Sequence, residues 1–174
     1  MVTAIIIAGL CLVLLAILAA LNRRTQIVGL NQEIQYDDFA FSVLGARAAT
    51  NLATSEPQAG AAGNYYVVTM KVANHALRVD YTFDKTAAIL VDDAGREFHL
   101  SASGQRALES ARKQKDECEG PLPAGVSCTT ELVFELPAGA RVSHLRISEG
   151  GELGDILDSI FYGRKIIEFH KSEK

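Results

Sequence analysis

The amino-acid sequence predicts a β-sandwich held at a membrane by one N-terminal helix. Residues 2–21 contain no charged side chain. After Arg24, apolar and polar residues alternate in about eight or nine short segments, separated by turn residues roughly every ten positions. Many short strands with one small helix are typical of two sheets packed face to face.

The apolar segment is long enough to cross a bilayer. A helix of this length rises about 30 Å, the thickness of the hydrocarbon core. No Lys or Arg precedes the segment, and no small-x-small cleavage site precedes Asn22, so we expect an uncleaved signal anchor over residues 1–21. Leu10 directly before Cys11 disfavours lipid attachment at that cysteine. We expect a tether over residues 22–33, the sandwich over 34–170 and a tail over 171–174.

The part of the chain after Arg24 is acidic. It contains all 21 Asp and Glu residues against 15 Lys and Arg, a formal net charge of −6. Nucleic-acid binding depends on a basic surface that neutralises phosphates. The composition therefore argues against a nucleic-acid partner, and the length after Arg24 is sufficient for one domain.

The first two strands are predicted over residues 34–43 and 64–72. The side chains that alternation directs toward the core are Phe39, Phe41, Val43, Tyr66, Val68, Met70 and Val72. Residues 48–63 are small or polar and lack a core pattern, so they predict a loop that is either mobile or functional.

The middle of the domain contains three more alternating segments. Residues 77–84 alternate without a fault and predict a strand, as do residues 87–91 and 96–100. Asp92, Asp93, Ala94 and Gly95 predict a hairpin turn in which Gly95 has a positive φ. Residues 103–115 are polar and are compatible with a short helix.

The C-terminal third predicts three strands and a helix. In residues 129–136, Leu132, Phe134 and Leu136 point inward, whereas Glu131, Val133 and Glu135 point outward. Residues 142–147 form the next strand, and residues 165–170 form the last, with Ile167 and Phe169 inward. Between them, helical spacing relates Leu153, Ile156, Leu157, Ile160 and Phe161, and Gly163 ends the predicted helix.

Cys118 and Cys128 are the only cysteines after the apolar segment. An even count in a small β domain suits a disulfide in an oxidising compartment, and the alternative is a pair of buried free thiols. A disulfide would place the domain outside the cytoplasm. Arg23 and Arg24 favour the opposite orientation, because cytoplasmic flanks of membrane spans are enriched in positive charge.

The sequence contains no motif of a known catalytic or metal site. GxSxG, HExxH, the Walker A pattern and CxxC are all absent. The four histidines, His75, His99, His144 and His170, fall on separate predicted elements and are expected to be exposed. Glu149, Glu152, Asp155 and Asp158 lack the spacing of a calcium loop and suit a helix N-terminus instead. We therefore predict no catalytic residue, no metal and no cofactor.

Several segments together resemble a known family. They are the aromatic and valine strand 65–74, the strand-turn-strand pair Leu90-Val91-Asp92-Asp93-Ala94-Gly95-Arg96-Glu97-Phe98, and Leu122-Pro123-Ala124-Gly125 followed by Glu131-Leu132-Val133-Phe134-Glu135-Leu136-Pro137. They resemble a bacterial family of immunoglobulin-like domains of unknown function, found in secreted, lipid-anchored or membrane-tethered proteins. That family is similar in fold to secreted mycobacterial immunogenic antigens. The resemblance covers residues 34–170 and implies an immunoglobulin-like β-sandwich, a periplasmic or extracellular location and no established activity.

We expect a non-catalytic module that contacts the membrane through residues 2–21 and binds or organises another protein at the cell envelope. The alternative is an accessory subunit of a larger membrane complex, docked through its transmembrane helix, on which Ala4, Ala8 and Gly9 would allow close approach of another helix. A hydrolase whose site matches no known motif is a third alternative.

Overall fold

The computed structural model describes residues 25–50, 65–112, 115–148 and 165–169, together with Leu14 and Leu52. Nine strands and one α-helix lie within these residues, with a short 3-10 helix at Lys85–Ala87. The strands are β1 Gln26–Val28, β2 Ile34–Tyr36, β3 Phe39–Ala49, β4 Tyr65–Asn74, β5 Ala88–Asp92, β6 Glu97–Phe98, β7 Ser127–Glu135, β8 Val142–Ile147 and β9 Lys165–Glu168; the helix is α1, Ala102–Arg112.

The strands form a β-sandwich of two sheets, as the alternation predicts. One sheet has the order β1-β9-β8-β5-β6 and the other has the order β2-β3-β4-β7. All pairings are antiparallel except that of β1 with β9, which is parallel. The predicted turn at residues 92–95 joins β5 to β6, and Gly95 has a φ of 76°. The helix between β6 and β7 lies where residues 103–115 predicted one.

The core lies between the facing sides of the two sheets. Phe41, Val68, Phe134, Leu145 and Ile167 are all fully buried there. This confirms the inward phase predicted for β3, β4, β7 and the last strand. Burial of apolar surface on both inner faces is the main stabilising contribution of the fold.

A second apolar cluster lies on the outer face of the β3-β4-β7 sheet. Val67 of β4 and Val133 of β7 point away from the main core, yet both are fully buried because Leu108 of α1 packs over them. Val133 points away from the main core, as predicted. It is nevertheless buried, because α1 covers this face of the sheet.

The two ends of the sandwich can be identified from the pairing. At one end, the ring of Phe169 after β9 packs edge-on against Tyr66 at the start of β4, with centroids 5.8 Å apart. The opposite end therefore contains the start of β9, its parallel neighbour Gln26 at the start of β1, and Asn74 at the end of β4. We call this the β1 end.

Several predicted boundaries are wrong. Residues 34–43 form two antiparallel strands, β2 and β3, and not one, because the chain turns at Asp37, whose φ is 52°. Residues 22–33 are not only a tether, because Gln26–Val28 hydrogen-bonds to β9 as an edge strand of the domain. Residues 77–84 form no strand and make one isolated bridge, from Tyr81 to Leu122, because the side chain of Asn74 binds the loop backbone instead. Residues 48 and 49 belong to β3 and not to the predicted loop.

Other predictions fall on residues that the structure does not describe. These are the membrane span apart from Leu14, most of the loop over residues 48–63, the helix over 153–163 with its neighbouring acidic residues, and His170. Within the described ranges, no helix combines the length and apolar character needed to cross a bilayer.

Candidate functional site

A charged cleft of about 210 Å³ opens at the free edge of β7. Its walls are α1 on one side and residues 115–118 on the other, a segment that we call the strap. Apart from Leu108, the lining consists of polar and charged side chains: Thr69, Gln105, Glu109, Arg112, Lys115, Asp116, Glu117, Thr129, Thr130 and Glu131. The cleft is the candidate site because it combines an opening with many charged groups.

The floor of the cleft is the backbone of β7. Its outer edge pairs with Leu100 and Ser101 near Phe134 and is covered by side chains along the cleft. The amide of Gln105 donates from Nε2 to the carbonyl of Glu131 at 2.9 Å and accepts at Oε1 from the N–H of Val133 at 3.2 Å. Glu117 accepts from the N–H of Thr129 at 3.2 Å. A carboxamide offers one donor and one acceptor like a peptide group, so Gln105 replaces a neighbouring strand.

The helix approaches β7 closely because residue 104 is glycine. A Cβ at Gly104 would lie 2.6 Å from Cγ1 of Val133, far inside van der Waals contact. The absence of that carbon brings Gln105 within hydrogen-bonding distance of the strand. Gly104 therefore sets the depth at which α1 docks.

Asp116 anchors the strap to the sheet. Its carboxylate accepts from the Cys118 N–H at 2.8 Å and from the Thr130 hydroxyl at 2.5 Å, and it lies 2.8 Å from Nζ of Lys85. Burial would raise the pKa of Asp116, but the hydrogen bonds from Lys85, Thr130 and Cys118 outweigh that effect and hold the pKa below its usual range. The carboxylate is therefore charged at neutral pH and fully engaged.

A second ionic pair joins α1 to β7. Arg112 at the end of α1 forms an ion pair with Glu131, whose other carboxylate oxygen lies 3.5 Å from the hydroxyl of Thr69. Lys85 also reaches Glu109 of α1, with Nζ and Oε1 3.7 Å apart. These pairs connect the helix, the strand and the strap around the opening.

A disulfide lies behind the strap. Cys118 and Cys128 are bonded, with their Cα atoms 5.3 Å apart, and both are buried in the main core. The bond joins the end of the strap to the start of β7. The cysteine pair predicted from the sequence is thus a disulfide, and it fixes one wall of the cleft to its floor.

The charged groups of the cleft are largely paired with one another. Its carboxylates are occupied by hydrogen bonds and ion pairs within the cleft. The exposed charges at the rim, such as Glu109 and Lys115, can exchange intramolecular pairs for pairs with another molecule.

The other candidate groups do not converge on this cleft. His75 lies 3.3 Å from Glu33 at the surface, His99 is exposed, and His144 is half-buried on β8. Burial and the neighbouring Arg146 lower the pKa of His144. Within the described residues, no three His, Cys, Asp or Glu side chains are placed to hold a metal ion.

Sequence reasoning missed Gln105, Asp116 and Arg112. The buried residues of α1, Gly104, Gln105 and Leu108, contain one apolar side chain, so the helix shows little of the periodicity that marks a packed face. The spacing of Gln105 and Leu108 is the one signal in the sequence that these residues share a helical face.

The chain matches one known protein family over most of its length. Residues 28–155 match a family described as domain of unknown function (DUF4352). The chain belongs to this family. The match confirms the resemblance inferred from the strand and turn segments, and it includes β2 to β8 and the whole cleft. A search of the curated proteins finds no match to this chain.

Two solved structures of the family's fold are similar to this chain. One is a secreted protein of Mycobacterium tuberculosis, MPT63, with a TM-score of 0.55 and 15% identity over 84% of this chain and 99% of that one. The other is the yjhA protein of Bacillus subtilis, with a TM-score of 0.52 and 10% identity over 82% of this chain and 99% of that one. At these identities the likeness establishes the β-sandwich alone.

Proposed function

We propose that the protein is a non-catalytic module, held at the outer side of a bacterial membrane by residues 2–21, that binds a polar segment of another envelope protein in the cleft. The observation that carries the proposal is the cleft itself. It is open and lined by charged groups, and α1, β7 and the disulfide-bonded strap brace it on three sides.

The ion pairs at the rim support binding to a charged partner. The pair of Lys115 with Glu119, whose side chains are 76% and 61% exposed, contributes little to stability, so a partner's charges can replace it at small cost. Complementary charge then determines which partner binds and how fast it associates. The buried Asp116 network beneath them keeps the walls in place during that exchange.

The membrane location and its side rest on separate observations. The uncharged stretch of residues 2–21 supports the anchor. The disulfide between Cys118 and Cys128 supports an oxidising compartment, against the orientation that Arg23 and Arg24 favour. Protease access in spheroplasts measures the side directly, and full protection of the domain would contradict an outer location.

Photo-crosslinking in native cells tests the cleft. A photoreactive residue replaces Lys115, whose side chain is 76% exposed at the cleft, or Arg141, which is 86% exposed just before β8 and does not line the cleft. We expect a discrete protein adduct from position 115 that is lost when Glu109→Lys is added, and no such adduct from position 141. The same adducts from both positions, or none from 115, would exclude the cleft as the binding site.

Gentle solubilisation separates this proposal from the accessory-subunit alternative. A partner held in the cleft should dissociate when Glu109→Lys is introduced, so the protein then migrates as a small species. Comigration of this variant with a large assembly would instead favour docking through the transmembrane helix.

A further inference from the structure

The β1 end of the sandwich presents three aliphatic side chains to solvent. Leu77 is 93% exposed, Val79 is 61% exposed and Val126 is 44% exposed. They belong to two loops, one after β4 and one before β7. Exposed aliphatic residues are common when scattered, but these three lie together at one end of the domain.

Asn74 holds the two loops against each other. Its buried side chain donates to the carbonyl oxygens of Val79 at 2.7 Å and Leu122 at 2.9 Å, and it accepts from the N–H of Ala76 at 2.9 Å. Its backbone N–H donates to the carbonyl of Val126 at 3.0 Å. The exposed side chains therefore project from a backbone that is fixed by a buried polar residue, which also reduces the ordering entropy lost on contact with another surface.

The chain between the apolar segment and β1 is short. Five residue steps separate Leu21 from Gln26, and a fully extended chain covers at most about 18 Å in that distance. Gln26 already pairs with Lys165 inside the sheet. If residues 2–21 span the bilayer, the β1 end cannot move far from the headgroups.

We propose that Leu77, Val79 and Val126 contact the lipid headgroup region and dock the β1 end of the sandwich on the bilayer surface. The inference rests on the proposed membrane anchor. The exposed Arg78 between Leu77 and Val79 would face phosphate groups, whereas the aliphatic side chains would enter the acyl boundary, as in proteins that bind at the interface. Docking orients the cleft relative to the membrane.

Two single-tryptophan variants of the full-length protein test the contact. The natural sequence contains no Trp, so each variant reports from one position. The variant Leu77→Trp places one at the β1 end. The matched control is Ala138→Trp, in the exposed turn between β7 and β8 at the opposite end. Both proteins are reconstituted in vesicles of phosphatidylcholine and phosphatidylglycerol that contain brominated acyl chains, and retention after carbonate extraction is measured in parallel.

We expect the brominated chains to quench the fluorescence of Leu77→Trp several-fold more strongly than that of Ala138→Trp. The emission of Leu77→Trp should also be blue-shifted relative to that of the control. Equal quenching at the two positions, in protein that resists carbonate extraction, would overturn the docking inference and leave the anchor intact. Release of the protein by carbonate would overturn the anchor, and the docking inference with it.

Discussion

The two faces of the β4–β7 pair are both buried, but by different means. The inner face packs Val68, Met70 and Phe134 against the other sheet, and it buries apolar side chains almost alone. The outer face buries two valines under α1 and completes its cover with polar side chains, of which Gln105 is central. Area burial stabilises the first face, whereas satisfied hydrogen bonds decide whether the second can be covered at all.

The comparison predicts the largest loss of stability on the inner face. In a fragment of residues 25–174, Phe134→Ala should lower the free energy of unfolding by about 3–5 kcal/mol, because a fully buried ring leaves a cavity. Val133→Ala, one position along on the outer face, should cost about 2 kcal/mol, since it removes two methyl groups. Urea denaturation measures both, and equal losses would show that the faces do not differ.

Loss of the disulfide should have the next largest effect. Replacing both Cys118 and Cys128 with Ala should lower the unfolding free energy by about 2–3 kcal/mol, because the unfolded chain gains freedom over the loop that the bond closes, at a sequence separation of 10. The wild-type fragment treated with a reductant is the matched measurement, and it should move toward the double variant. No change on either treatment would mean that the strap is held by Asp116 alone.

Gln105→Ala tests the polar cover directly. It leaves the carbonyl of Glu131 and the N–H of Val133 without their partners, which should cost about 2 kcal/mol and expose the edge of β7 to association. Arg106→Ala, on the exposed side of the same helix, is the control and should change stability little. Light scattering after partial unfolding reports the association, and a variant as stable and monodisperse as the control would contradict the capping role.

The smallest predicted effect concerns pH. Because the pKa of Asp116 is lower in the folded state than its unfolded value near 3.9, its stabilising contribution is present above that value and is lost as the pH falls below it. Asp116→Asn should lower the unfolding free energy of the fragment by about 1 kcal/mol at neutral pH. The difference in unfolding free energy between variant and wild type should become smaller in acid. Asp80→Asn, an exposed residue outside this network, is the control, and a gap that stays constant with pH would contradict the ionic role.

Much of the fold can be predicted from the sequence because the inner faces obey a period of two. Phe41, Met70 and Phe134 are found where alternation places them, and the turn at Gly95 follows from its backbone requirement. The same rule fails for residues 77–84, where alternation continues but the side chains of Leu77 and Val79 are exposed. A buried Asn74 determines that loop, and its side chain bonds to the backbone of Leu122, 48 positions away.

The candidate cleft could not be predicted, since it depends on tertiary contacts between segments that are ordinary by themselves. Nothing local to Asp116 indicates that Lys85 and Thr130 will meet at its carboxylate. Strand β1 could not be predicted for a different reason. Its three residues are too few to show the alternation of apolar and polar side chains. The cysteine pair was the exception: two residue identities were enough to predict a contact.

The parallel pairing of β1 with β9 determines where the chain enters β1 and where it leaves β9. Since Gln26 lies opposite Lys165 and both strands run the same way, Phe169 follows β9 at the far end of the sandwich. A reporter protein fused directly after Phe169 would thus begin at the pole opposite the junction before Gln26. With an antiparallel last strand, the same fusion would emerge beside that junction and crowd it.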